Sequence, residues 1–478
     1  MLCVGSAFRM LTPTDCVGGD AGESVAELVV RDPAPNTVDY MDHASYVALR
    51  ALRRGPVGQS VWIYERGVDL DGLRRFQRNL KHTLLGRRIE RSPLPFGRHR
   101  WVACAGPDSI AVATGERARS QVWEWANERA RIPVDPEDGP PWHLAVQPLI
   151  GGGSAVSLVF SHTIADGAAS TLSIVSAVEG RKWNLGYPAP GSRTFGKALR
   201  EDLLSTLRSL PAIPSSVVGT VRLQRRQAAE TPRTGKAGVP APAASSGSKE
   251  PVTVPMVAAS VDVASFDAKV AELGGTRNAF VAALAARLGH ALDRIDTDGN
   301  VMLTFPVSER TEGDTRGNAL NVITVTVDPE TVLTDLAVLR KAVKDALVQM
   351  QATRDAMMAP LPLIPFVPKS LMAAVEKAVL QQGQPIGCSN AGDMPPALSR
   401  IDGTEADFFI GRMIENGVTE DAFARRGGHL ALGVTIAGGT VAISIASWKV
   451  GGPNSASALA DAVGKAFADF GLPPTIEW

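Results

Sequence analysis

His162 and Asp166 lie four residues apart in Ala155–Ser170, AVSLVFSHTIADGAAS, with Gly167 directly after the aspartate. A histidine titrates near neutral pH without special tuning, so it can take a proton from a hydroxyl or thiol held within hydrogen-bond reach. Ala155 to Phe160 is an unbroken apolar and β-branched run, the pattern of a buried strand. It delivers His162 to the end of that strand, after which a turn leads into an apolar-periodic helix running through Ile174 and Val178 towards Gly180. Asp166 has two physical readings. It can pair with the imidazole, as in a triad, or it can cap the following helix, a place where aspartate is favoured. The capping role is the stronger on local grounds, and Gly167 then permits close approach of backbone or ligand. Taken alone, the motif fits a structural histidine as well as a base.

Other chemistries find little support. There is no GxSxG or HExxH, and no GxxxxGK[ST] or GxGxxG loop. The seven histidines are dispersed without metal-ligand spacing. His290, within TRNAFVAALAARLGHAL, reads as a structural residue. Cys3, Cys16, Cys104 and Cys388 show no CxxC spacing, which argues against a zinc site or disulfide framework and fits a reducing cytosol. Lysine plus arginine equals aspartate plus glutamate at 49 each, so no overall field favours nucleic acid. No N-terminal segment combines a basic region, a long apolar region and a cleavage site, so a secretory signal is not expected, and without an apolar run of about 18 residues neither is a membrane span. The expected location is the cytoplasm, with peripheral contact at the inner membrane face left open.

A chain of 478 residues with 45% hydrophobic and 21% charged residues should form two globular units. The segment 227–250, rich in Pro, Ala, Gly and Ser, reads as a flexible linker between an N-terminal domain, 1–226, and a C-terminal one, 251–478. Leu73, Phe76, Leu80 and Leu84 predict an amphipathic surface helix, with Arg74, Arg75, Arg78 and Lys81 on its other faces. The basic run continues through Arg87, Arg88 and Arg91, read as a solvated face, with a site for phosphates or anionic lipid headgroups as the alternative. Trp142–Ile150 and the strand before His162, joined by Gly151-Gly152-Gly153, predict a hairpin. The second half predicts strands over Val252–Val263, Val301–Phe305, Val322–Val327, Ile386–Asn390, Phe408–Met413, His429–Ile436 and Thr440–Ser447. It predicts helices over Thr276–Leu292, Leu333–Ala352 and Ser457–Phe470. Pro360–Pro368, PLPLIPFVP, cannot be a regular helix; it is expected to cover the core, with an acyl tunnel lining or a membrane contact as alternatives. Mixed helix and strand order in both halves points to two α/β (α+β) domains.

PWHLAVQPLIGGGSAVSLVFSHTIADGAAS resembles the active-site region of the CoA-dependent acyltransferase superfamily, which includes chloramphenicol acetyltransferase, BAHD plant enzymes, peptide-synthetase condensation domains and bacterial wax ester synthase/diacylglycerol acyltransferases. The last group is the most similar. MLTPTD near the start resembles its opening motif, TRNAFVAALAARLGHAL its helix after the linker with Asn278 in the matching place, FPVSERTEGDTRGNALN its PVS-x-R…GN segment, and CSNAGDMP its SN-x-x-G-P region. The resemblance implies two chloramphenicol-acetyltransferase-like domains, each a mixed β-sheet flanked by helices, with an active-site tunnel between them. It implies that His162 is the base and that Asp166 points away from substrate into a salt bridge with Arg310. Gly167 would keep the tunnel open, and Ser161, Ser389 and Asn390 would lie near the substrate. It implies acyl-CoA as co-substrate with no resident cofactor or metal, and a hydroxyl acceptor such as a lipid alcohol or diacylglycerol. The alternatives are a donor held on an acyl carrier protein, as in condensation or polyketide assembly, and a non-catalytic relative that only binds an acyl ligand. Three positions depart from the pattern: Ser161 stands where the related enzymes carry a first histidine, Ala279 where aspartate is common, and Asp393-Met394 separates the glycine of the SN region from Pro395.

Overall fold

The computed structural model describes residues 36–230, 248, 250–368, 370 and 384–478. MLTPTD, Cys3, Cys16 and most of the 227–250 segment lie outside the described residues. In chain order the first half runs α1 (Tyr40–Leu52), β1 (Gly55–Tyr64), α2 (Leu70–Leu80), β2 (Arg87–Glu90), β3 (Arg100–Ala103), β4 (Ala111–Val112), α3 (Val122–Ala130), β5 (Trp142–Pro148), β6 (Ser154–Ser161), α4 (Gly167–Val178), α5 (Phe195–Ser209) and α6 (Ile213–Glu230). The second half runs β7 (Met256–Asp262), α7 (Val263–Glu272), α8 (Arg277–Ala291), β8 (Val301–Ser308), β9 (Leu320–Val327), α9 (Ala337–Met358), β10 (Ile386–Asp393), β11 (Phe408–Asn416), α10 (Glu420–Arg426), β12 (His429–Ala437), β13 (Thr440–Trp448), α11 (Ala456–Ala468) and β14 (Thr475–Glu477).

Two mixed sheets carry the fold. The first has the order β11-β1-β6-β5-β4 and the second β14-β7-β13-β12-β10-β8-β9. β6 is the middle strand of its sheet, paired antiparallel to β1 on one side and to β5 on the other. Every residue of β6 is buried, which is why its sequence is a continuous apolar run rather than an alternation. β11 belongs to the second half of the chain yet pairs with β1 from Gly55↔Asn416 to Ile63↔Phe408. The chain therefore crosses back after the linker and closes the edge of the first sheet.

The second sheet forks. β10 runs parallel to β12 as far as Asp393, but it meets β8 only at Ile386↔Leu303 and Gly387↔Thr304. Beyond Thr304, β8 pairs with β9 alone, so the segments leading to Arg310 and to Ser389-Asn390 part at this point. α8, buried along most of its length through small alanines, packs beneath the fork, and Thr276 caps it by accepting from the Ala279 amide. Gly438 and Gly439 both take positive φ at the tight turn from β12 to β13. Leu361–Phe366 forms a single 3-10 stretch after α9, with Pro365 buried.

α2 ends at Leu80 rather than continuing to Leu84. Successive i→i−3 bonds at His82, Thr83 and Gly86 wind the chain into turns there, and Leu84 is buried outside the helix. The reading of Arg87 as solvated charge is overturned. Arg74, Arg75 and Arg78 face solvent, but Arg87 is fully buried under the ring of Trp101, 4.1 Å from its centroid. β2 turns its side chain inward, and backbone carbonyls supply the partners that permit burial of the charge.

Gly58 on β1 shows how tightly β6 is seated. A Cβ there would fall 2.1 Å from Cζ of Phe160, two residues before His162. Gly58→Ala is expected to cost about 1–3 kcal/mol by overpacking, read as a lower urea midpoint with an unchanged slope.

Candidate active site

His162 follows the last residue of β6. The ladder continues one step past the strand, with the His162 amide donating to the Pro56 carbonyl at 3.2 Å, and the Ile164 amide closes a turn on Ser161. Ser161 is buried at the strand end opposite Val57, its amide held by the Pro141 carbonyl. His162 itself is half-buried. Burial lowers its pKa below the ordinary histidine value, against the opposing pull of the Asp166 charge, its own backbone carbonyl and the Asn318 side chain. The imidazole is therefore neutral at pH 7 and able to accept a proton.

Asp166 is the N-cap of α4, in extended backbone conformation, and its Oδ1 accepts from the Ala169 amide at 2.7 Å. Its Oδ2 accepts from the Ala319 amide at 2.9 Å and from Arg310 Nη2 at 3.0 Å. The carboxylate's hydrogen bonds thus go to the helix and to the second half of the chain, and it reaches the imidazole only through its charge. The side chains of the ion pair are 6% and 5% exposed for Asp166 and Arg310. Arg310 also donates to the carbonyls of Asp314, Arg316 and Gly317, which folds the 310–317 loop around the guanidinium.

Three further residues hold the histidine loop and were not singled out as site residues from sequence. Asn318 Nδ2 donates to the carbonyls of His162 and Thr163 at 3.2 and 3.4 Å. Asp42, on α1 and wholly buried, accepts from the amides of Gly317 and Asn318 at 2.8 and 2.6 Å and from Asn318 Nδ2 at 3.1 Å. Arg87 Nη2 donates to the Ile164 carbonyl at 2.9 Å, and its Nη1 donates to the Thr315 carbonyl. Asn318 lies inside the quoted GNALN segment, so a signal existed for it. Asp42 and Arg87 carry no local pattern: each becomes important only through partners far away in sequence. Gly317 is the pinch point. A Cβ there would lie 2.9 Å from Asp42 Oδ1 and 3.0 Å from the carbonyl oxygens of both Thr163 and Ile164.

The structure thus gathers His162, Asp166, Arg310 and Asn318 at one place. Gly167 opens on space, since a Cβ there would meet nothing within 4 Å. Ser389 is exposed and Asn390 half-buried on the other arm of the fork, and neither joins the hydrogen bonds that hold the histidine loop. Asn390 instead donates to Asn278 at the start of α8, where Arg277 bridges Asp267 and Asp393. His290 is partly exposed beside Glu330, on the far end of α8. Among the described residues no cluster of metal-ligating side chains occurs.

No family model matches the sequence, and no curated protein matches it. Solved structures do. The first condensation domain of the CDA synthetase superposes with a TM-score of 0.52 at 13% identity, covering 92% of this chain and 97% of that one. Wax ester synthase/diacylglycerol acyltransferase from Marinobacter aquaeolei VT8 gives 0.53 at 15% identity, covering 91% and 98%. Polyketide synthase associated protein 5 from Mycobacterium tuberculosis gives 0.50 at 15%, with the same coverage. The chain has the two-sheet fold of these proteins over nearly its whole length.

Two predictions rest on this geometry. Arg310→Ala leaves the Asp166 carboxylate buried without its cation and should cost about 3–5 kcal/mol in urea unfolding. Asp42 differs in sign from an ordinary paired carboxylate. Burial raises its pKa from 3.8 to about 6, outweighing Arg87 and the donors from Gly317 and Asn318. The folded state therefore holds that proton more tightly than the unfolded chain, and the stability this contributes is full below 3.8 and lost as pH rises towards 6. Relative to Asp42→Asn, which does not titrate, the wild type should lose stability across that window and run parallel above it.

Proposed function

We propose that this protein is an acyltransferase in which His162 is the general base. An acyl-CoA thioester is the donor and an acceptor hydroxyl, on a lipid alcohol, diacylglycerol or similar molecule, receives the acyl group. The observation that carries this reading is an imidazole at the end of a buried strand, its loop clamped from both halves of the chain, on a fold shared with an acyltransferase.

His162 takes the proton of the acceptor hydroxyl as its oxygen attacks the thioester carbonyl. The tetrahedral oxyanion collapses with cleavage of the C–S bond, and the imidazolium returns its proton to the departing CoA thiolate. The electron pair of the broken bond leaves on sulfur, and no covalent enzyme intermediate forms. The chain's contribution beyond the base is positional. Asn318 and Arg87 fix the carbonyls of the loop that carries His162, and the Asp166 charge favours the imidazolium that forms during attack. Holding donor and acceptor in register beside a fixed base supplies acceleration that base catalysis alone does not. Gly167, exposed and with space around it, is assigned to keeping the approach to the ring open on the resemblance of its motif. Ser161, Ser389 and Asn390 are assigned to substrate contact on the resemblance of their segments.

The likeness to condensation domains favours a second reading of the donor, an acyl group carried on a carrier protein instead of CoA. Offering acyl-CoA and acyl carrier protein in competition separates the two, because only the true donor releases thiol in the presence of acceptor.

His162→Ala should lower kcat/KM by about 10²–10⁴ while leaving the unfolding midpoint near that of the wild type; wild-type turnover in a folded variant sinks the proposal. Because the base must be unprotonated, activity falls as pH drops through its pKa, and the lowered value places the acid limb of kcat/KM below 6.5.

A further inference from the structure

α5 is turned inside out relative to an ordinary surface helix. The face against the protein body is Ala198, Asp202 and Thr206, one small and two polar residues. Arg193 anchors it, pairing with Asp202 at 2.6 Å and Glu201 at 3.3 Å. The apolar positions at helical spacing, Phe195, Leu199, Leu203 and Leu207, face water, with Phe195 72% and Leu207 50% exposed. α6 follows after a three-residue 3-10 turn and exposes Val217, Val218 and Val221 as well. Large apolar side chains exposed in this number along successive helices mark a place of contact.

Its charge identifies the occupant. The chain as a whole is neutral, yet residues 193–225 hold six Arg and Lys against two acidic residues, both of which pair with Arg193. Among the described residues, Arg200, Arg208, Arg222 and Arg225 have no ion pair or hydrogen-bonded partner. Apolar side chains flanked by free arginines match a bilayer with anionic headgroups, where the apolar positions enter the acyl boundary and the cations meet phosphate. A second copy of this chain fits poorly, because a two-fold contact would set the same arginines against each other in a low-dielectric interface.

We infer that the exposed face carried by α5 and α6 is a docking surface for an anionic membrane. It lies close to the site by way of packing: α6 rests on the Leu361–Phe366 turn, and that turn rests on α1, which carries Asp42 and touches the histidine loop through Ser45 and Thr163 at 3.1 Å. Docking here sets the membrane beside the elements that hold His162. The inference stands apart from the acyltransferase reading, since binding is measured without substrate.

The test is sedimentation of the full-length protein with vesicles of phosphatidylcholine alone and of phosphatidylcholine mixed with phosphatidylglycerol. The wild type should pellet with the mixed vesicles, and added salt should weaken binding. Arg222→Ala/Arg225→Ala should weaken binding to the mixed vesicles by at least about tenfold, since each cation at an anionic surface is worth about 1 kcal/mol. Leu203→Ser/Leu207→Ser should weaken binding to the mixed vesicles likewise, with thermal unfolding confirming that each variant is folded. The inference is overturned if the wild type stays in the supernatant with both vesicles, or if both variant pairs bind as the wild type does. It is equally overturned if sedimentation velocity shows a wild-type dimer that Leu203→Ser/Leu207→Ser converts to monomer, which would make the face a self-contact.

Discussion

Everything at this site hangs on one buried carboxylate. Asp166 is nearly removed from water, a position that is costly for a charge unless its lone pairs are filled. Three donors fill them, and they come from two places: the Ala169 amide of its own helix, and Ala319 and Arg310 from the other half of the chain. A single side chain thereby starts α4, fixes the turn that carries His162 and joins the first half to the second. Loss of any partner leaves a charge with no solvent to fall back on.

Asp42 applies the same logic with a different outcome. It too is buried and accepts three hydrogen bonds from the 317–318 segment, but here burial outweighs the favourable contacts and the carboxyl is held above its usual pKa. The compensation is positional. Asp42 orients Asn318, and Asn318 in turn holds the carbonyls of His162 and Thr163. Four stretches, α1, the start of β2 at Arg87, the strand end at His162 and the 310–319 loop, close on one another, with no room for a methyl group at Gly317. Such packing holds the loop that carries His162 in one orientation, which is the pre-organisation that the proposed acyl transfer would require of its base.

The crossover of β11 has a mechanical consequence. Because it pairs with β1 over nine residue pairs, and β1 pairs with β6, the strand before His162 is tied to the second half through the first sheet as well as through Asp166 and Arg310. The fork between β8 and β10 then separates the segment leading to Arg310 from the one that carries Ser389 and Asn390.

Much of this could be read from residues alone. The continuous apolar run of β6, the capping aspartate before α4, the Gly438-Gly439 turn and the alanine-rich α8 follow from local pattern, because burial of a strand, a cap or a turn is a property of a few neighbouring residues. The link between Asp166 and Arg310 came only by resemblance, since nothing in the spacing of residues 144 apart brings them together. The basic run after Leu84 misled for a related reason. A local view sees a row of cations and assigns them to water, whereas Arg87 finds a tryptophan face and two carbonyls that exist only in the folded chain. The sequence by itself determined which residue types were available at the strand end. Tertiary structure decided which of them are paired, buried and neutral, because desolvation and hydrogen-bond partnership depend on distances that the linear chain does not contain.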